Sequence, residues 1–193
     1  IATAKRRRQA EPRPVGRAVH GARPGLRRDR ELGGWVLPLP TIDPAIVRRS
    51  AAALERYGPD FTYGHNLVVG HLATAAGLAG GVGLVGLLAP LPPTRKLLLK
   101  LKSPGEGPSV ATRERSWFKV TFVGEGGGQR VVTEVAGGDP GYTETAKMLA
   151  ESGLCLAFDE GLPESAGQVT TATAMGDALL ARLQRAGISF RVL

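Results

Sequence analysis

Residues 61–94 contain no Asp, Glu, Lys or Arg, and this uncharged run restricts the folds open to the chain more than any other feature. Its heart is LVVGHLATAAGLAGGVGLVGLLAPL, residues 67–91. By length it could cross a bilayer, for which roughly 20 apolar residues suffice. Gly77 and Gly81 have the spacing of a close helix–helix contact. Yet seven glycines (Gly64, Gly70, Gly77, Gly80, Gly81, Gly83 and Gly86) are many for a soluble helix, each costing up to about 1 kcal/mol relative to alanine. His71 also interrupts the run. Three readings stay open: a buried or membrane-surface helical hairpin, a membrane span, and a Gly-rich apolar loop. The next segment, TRKLLLKLK, sets Arg95, Lys96, Lys100 and Lys102 around Leu97, Leu98, Leu99 and Leu101. It reads either as a basic amphipathic element lying on anionic lipid or as a surface helix with its leucines facing a core.

The net charge of +8 suggests nucleic acid until it is located along the chain. Of 25 basic and 17 acidic residues, ten and two lie within residues 1–30, so the remaining fifteen of each sign cancel. The basic stretch has Pro and Gly and almost no apolar periodicity, which predicts a disordered tail over 1–30. Phosphate or anionic lipid is the other use of such an arm. An aromatic content of 5% is low for a base-stacking surface, and nucleic acid is not the expected partner. The one cysteine, Cys155, excludes an internal disulfide, suits a reducing compartment, and reads as a small buried residue. No His/Cys/Asp spacing resembles a metal site. No signal-peptide core follows the arginine run, because residues 9–30 are polar and Pro-rich. A start at Ile1 reads as a fragment, a processed product or an interrupted reading frame.

Order is expected from about Glu31. Trp35–Leu37 is a short extended piece. Asp43-Pro44 opens a helix with proline at its first position, with Ile46, Val47, Ala51 and Leu54 on its buried face and Gly58-Pro59 as its stop. Residues 117–123 and 129–136 alternate as two strands, and the glycines of 124–128 between them make a hairpin turn. A strand follows those glycines, whereas the dinucleotide fingerprint requires a helix there. Gly137–Tyr142 is a tight turn in which the Asp139 side chain bonds backbone amides. Helices over 143–157 and 174–186 follow, the second ending at Gly187. A strand over 188–193 closes the chain, with no partner in the local pattern. The expected class is α+β: a small, mainly antiparallel sheet with packed helices, a Gly-rich apolar helical segment, and the tail. The expected domain covers 31–193.

Residues 116–193 resemble the C-terminal end of the saccharopine-dehydrogenase-like oxidoreductase family, which includes the trans-acting enoyl reductases of actinobacterial lipid biosynthesis. The motifs GDPGYTETAKMLAES and TTATAMGDALLARL carry the resemblance most specifically, and GGWVLPLPTIDPAIVRRSAAALERYGPDFTY (33–63) is similar to the middle of the same family. The resemblance implies an enzyme of two parts, in which a Rossmann domain binds NAD(P) and an α+β domain shapes the substrate site and subunit contacts. It implies a long-chain acyl or polyketide-derived lipid as substrate, and cytoplasmic placement with association to the plasma membrane. A homo-oligomer or a partner nucleotide-binding domain is the implied assembly. The Rossmann fingerprint is absent and residues 1–30 resemble nothing in the family, so no cofactor is expected to bind this chain alone. The alternative is a catalytically inactive, lipid-associated remnant.

Hydride transfer is cofactor chemistry, and the protein contributes position and a proton donor. Tyr142, Lys147, His65 and Tyr63 are the candidates for that donor or for a group that polarises the substrate oxygen. Each also has a plain reading: packing beside turns for the two tyrosines, a solvated helix face for Lys147, and a cap or core edge for His65. There are no paired carboxylates, no nucleophile elbow and no triad spacing.

Overall fold

The computed structural model describes residues 16–30, 32–39, 41–92, 94 and 107–193. The segment 95–102, with its four cations, and residues 1–15 lie outside the described residues. The chain divides into two compact units, Ile1–Pro104 and Gly105–Leu193.

In the first unit, β1 (Ala18–Gly21) pairs in parallel with β4 (Asp60–Tyr63). β2 (Arg27–Asp29) and β5 (Asn66–Val69) flank β3 (Gly34–Pro38) in an antiparallel sheet. Two strands thus occupy part of the stretch expected as a disordered tail. One reason is Arg17, whose guanidinium donates to the carbonyls of Gly58 (3.2 Å), Leu54 (2.6 Å) and Ala51. These carbonyls belong to the end of helix α1 (Asp43–Ala53) and the 3-10 turn after it. A basic residue satisfies helix-end acceptors and so holds the start of β1 against them. Arg17→Ala should destabilise this unit by about 1.5–3 kcal/mol, the range for hydrogen bonds to a charged donor; urea unfolding of the variant measures it.

Helix α1 has Pro44 in its first turn, as the Asp43-Pro44 pair predicts. It packs on β1 and β4. Ala51 is fully buried and Ser50 nearly so. Ile46, expected on the buried face, is exposed: a helix crossing two four-residue strands is covered over only part of its circumference.

The uncharged run resolves into β5 and one helix, α2 (Leu72–Leu88), rather than a helical hairpin. No proline falls between 72 and 88, and Leu and Ala favour helix strongly enough to carry the scattered glycines. Helix α2 packs on β3 and β5 and buries Ala75, but Leu78, Val82, Leu84, Val85 and Leu87 are exposed. The positions a Cβ would take on Gly77 and Gly81 face open space. Among the described residues, no helix is long and apolar enough to cross a membrane.

In the second unit, a short helix α3 (Val110–Arg115) precedes the expected hairpin, β6 (Phe118–Gly126) and β7 (Gln129–Gly137). Gly127 and Gly128 both have positive φ (57° and 75°), which a two-residue turn of the right twist requires. Strand β8 (Ser189–Val192) pairs antiparallel with β7, so the closing strand finds within this unit the partner that the local pattern does not show. Long-range pairing leaves no periodicity signal. Arg191 of β8 donates to Glu134 of β7 at 2.5 Å, and Lys119 of β6 lies 3.4 Å from the same carboxylate.

Helices α4 (Thr143–Phe158) and α5 (Thr171–Arg185) pack together around Cys155, Met175 and Leu179. Burial pushes the Cys155 thiol up, and its bond to Asp159 does so further, which fits a small inert core residue. Helix α5 ends in a Schellman motif: Gly187 (φ 93°) donates to Gln184 and Ile188 to Leu183, both at 3.0 Å. The sequence signal at Gly187 is therefore correct. Arg182 ties the two helices by a fork onto Asp159 (2.7 and 2.6 Å) and a bond to Glu151 (3.2 Å). The fork holds the Asp159 carboxyl at about 2, below its ordinary 3.8. Its folded value is the depressed one, so the fork contributes fully above pH 3.8 and is lost as pH falls through about 2. Thermal melts between pH 5 and 2 should show this loss, and Asp159→Asn should flatten it.

Candidate functional site

The parallel strands β1 and β4 end on the same side, where the chain leaves a cleft of about 240 Å³. Ligands of parallel α/β units bind beyond the carboxyl ends of the strands. Here Gly21 ends β1 and Ala22 follows it, and Tyr63 ends β4 with Gly64 and His65 after it. Pro44 and Arg48 come from the first half of α1, while Pro38, Leu39, Asn66, Arg23 and Pro24 complete the wall.

Strand periodicity brings two sequence candidates together. Phe61, Tyr63 and His65 are spaced by two, so their side chains fall on one face. The Phe61 and Tyr63 rings stack at 6.5 Å, and the rings of Tyr63 and His65 lie 6.4 Å apart. The Tyr63 hydroxyl is 3.2 Å from His65 Nδ1. Burial raises the Tyr63 phenol above its ordinary 10.0, and the Asp43 charge adds to that, so the hydroxyl keeps its proton at neutral pH. Asp43 itself is held low, chiefly by a bond from the Thr41 hydroxyl. With hydrogen on Nδ1, His65 donates to the phenol oxygen and leaves the phenolic hydrogen free for a third group.

Tyr142 and Lys147 lie in the second unit, around the start of α4. The Asp139 carboxylate accepts from the backbone N–H of Tyr142 and Thr143, both at 2.9 Å, as the turn sequence predicts. These amide bonds hold Asp139 below its ordinary value. Tyr142 is half exposed and its ring borders Gly107. Lys147 is paired with Glu144, with Nζ 2.7 and 2.9 Å from the two carboxylate oxygens. The sequence reading missed Arg23 and Arg48, which look like solvated cations when read one at a time. Their only signal was position, in the loop after β1 and on the helix that crosses it.

The structure does not fit a dinucleotide at the glycine run. Gly126 and Gln129 are paired across the hairpin, so a strand leaves the turn and no helix N-terminus faces it. Between β1 and α1 the chain makes β2 and β3, so no glycine loop joins strand to helix. The cleft volume is also below the roughly 300–1,000 Å³ of ordinary ligand sites. Among the described residues, no group of three His, Cys, Asp or Glu is arranged to hold a metal.

Fold and cleft together define an α+β chain with a phenol–imidazole pair set beside two arginines. Its sequence relatives are trans-acting enoyl reductases. One from Mycobacterium ulcerans Agy99 is 40% identical over 155 residues, covering 74% of this chain and 37% of the relative. Another, from Mycobacterium bovis BCG, is 36% identical over 197 residues, covering 94% of this chain and 47% of the relative. A protein of Mycobacterium tuberculosis H37Rv, provisionally given the same name, is 38% identical over 200 residues, with 95% and 48% covered. The chain is thus homologous to part of these enoyl reductases, and it spans about half the length of the curated relatives it matches. No family model matches the chain, and no solved structure matches it.

Proposed function

We propose that the chain is the substrate-side part of an NAD(P)-dependent enoyl reductase of the saccharopine-dehydrogenase-like type, acting in lipid or glycolipid biosynthesis on a long acyl or polyketide-derived chain. The observation that carries the reading is the Tyr63 hydroxyl held 3.2 Å from His65 in a cleft at the strand ends. Reducing a double bond conjugated to a carbonyl puts negative charge on the carbonyl oxygen. A neutral phenol aimed at that oxygen stabilises the charge, and an imidazole behind it can return the proton. Tyr63 therefore gives its hydrogen to the carbonyl oxygen as hydride reaches the β-carbon, and His65 orients the phenol and restores its hydrogen. The resulting enol becomes the saturated product by taking a proton at the α-carbon from water and releasing the one on oxygen. Hydride delivery belongs to polypeptide outside this chain, corresponding to the rest of the relatives or to a partner nucleotide-binding domain. The test is a chimera in which this chain replaces the matching portion of the Mycobacterium ulcerans relative, assayed with NADPH and an enoyl thioester. His65→Ala should slow turnover, and adding Tyr63→Phe should cost little more, since both act on one proton. Additive losses would separate the two residues and remove the pair.

A second reading, a lipid-surface remnant without turnover, is favoured by the exposed leucines and valines of α2 and the four cations that follow in sequence. Flotation with vesicles containing phosphatidylserine tests it. Changing Arg95, Lys96, Lys100 and Lys102 to Glu should abolish flotation if charge carries the docking. Absence of flotation by the unaltered chain would dispose of this reading.

A further inference from the structure

We infer that the Tyr63 cleft also holds a phosphate ester, gripped by Arg48 and Arg23. Three arginines elsewhere are engaged: Arg182 by Asp159 and Glu151, Arg191 by Glu134, and Arg17 by three carbonyls. In this cleft two arginines line one concavity, and no carboxylate among the described residues is paired with either. Arg48 is fixed without being neutralised. Its Nε donates to the Pro44 carbonyl at 2.9 Å, and among the described residues the outer edge of the fork is left unspent. Its Nη1 lies 3.1 Å from where a Cβ on Gly21 would stand, so a glycine at the end of β1 makes room for the guanidinium. A planar guanidinium held this way matches two phosphate oxygens at once. Arg23 adds a second cation from the facing loop, and Asn66 lines the same wall. Asp43, at the start of α1, takes its hydrogen bond from Thr41 and bears on His65 and Tyr63.

Two sources share this chemistry: the phosphate of a pantetheine arm carrying the acyl group, and a phosphate of a nicotinamide dinucleotide. The neighbouring phenol favours the first. Placing the phosphate on the substrate rests on the enoyl-reductase reading, whereas the anion site itself rests on the arginines alone. Calorimetric titration of the whole chain with 4′-phosphopantetheine, pantetheine and NADP⁺ tests both. Phosphopantetheine should bind about tenfold or more tightly than pantetheine, as expected for charge-assisted bonds, and the preference should weaken with salt. Arg48→Gln should remove the preference and Arg48→Lys should keep part of it. Arg23→Gln, on an exposed loop, should reduce it in a chain that folds normally. Equal affinity for the two pantetheines in the unaltered chain, or a preference that survives both glutamine changes, overturns the anion site. Arg48-dependent binding of NADP⁺ without binding of phosphopantetheine keeps the site but overturns the substrate-borne source. Tyr63→Phe should leave the phosphate preference intact, so failure of the enoyl-reductase reading would be seen separately.

Discussion

Tyr63→Phe should slow enoyl reduction by about 10²–10⁴-fold in the chimeric enzyme, the usual contribution of a positioned proton donor. The change removes one oxygen and keeps the ring that stacks on Phe61. Its thermal midpoint should therefore stay close to that of the unaltered protein, and the deficit should lie mainly in kcat. Asp43→Asn adds a pH signature. Removing its charge takes away one cause of the raised Tyr63 value, so the alkaline limb of the rate profile should move to lower pH. A rate unaffected by Tyr63→Phe would take the cleft out of the reaction.

Ile188→Ala should cost about 2–5 kcal/mol, the range for large-to-small changes in a core. Ile188 is 2% exposed. It is also the residue after Gly187 whose backbone N–H closes the α5 cap, and it leads directly into β8. The second unit has few other buried apolar side chains, so little can close over the cavity. A fall in its thermal midpoint of roughly 10 °C or more is expected. Leu149→Ala on the exposed side of α4 serves as the comparison and should change little. Equal effects at 188 and 149 would contradict the packing described here.

Local chemistry was readable from the sequence. Asp139, Gly187, the hairpin glycines and the Asp43-Pro44 start all depend on residues within one turn of each other, and all four are found as expected. Pairing across the chain was not readable. The parallel partnership of β1 with β4 joins segments about forty residues apart, so the sequence analysis placed residues 18–29 in a disordered tail and left β8 without a partner. The candidate site divides the same way. Tyr63 and His65 are separated by one residue and their alternation is visible in FTYGH. Arg48 and Arg23 reach the cleft only once α1 crosses β1. The glycine run gave a composition signal that suited a hairpin, a span or a loop, and Leu and Ala between the glycines gave one helix.

The central claim is that these residues supply the acid side of an enoyl reduction while hydride delivery lies elsewhere. It is tested most directly by assaying NADPH oxidation with an enoyl thioester for the isolated chain and for the chimera side by side. The account predicts turnover by the chimera and none by the chain alone. Reduction by the isolated chain, or a folded chimera that binds NADPH yet never turns over, would contradict it.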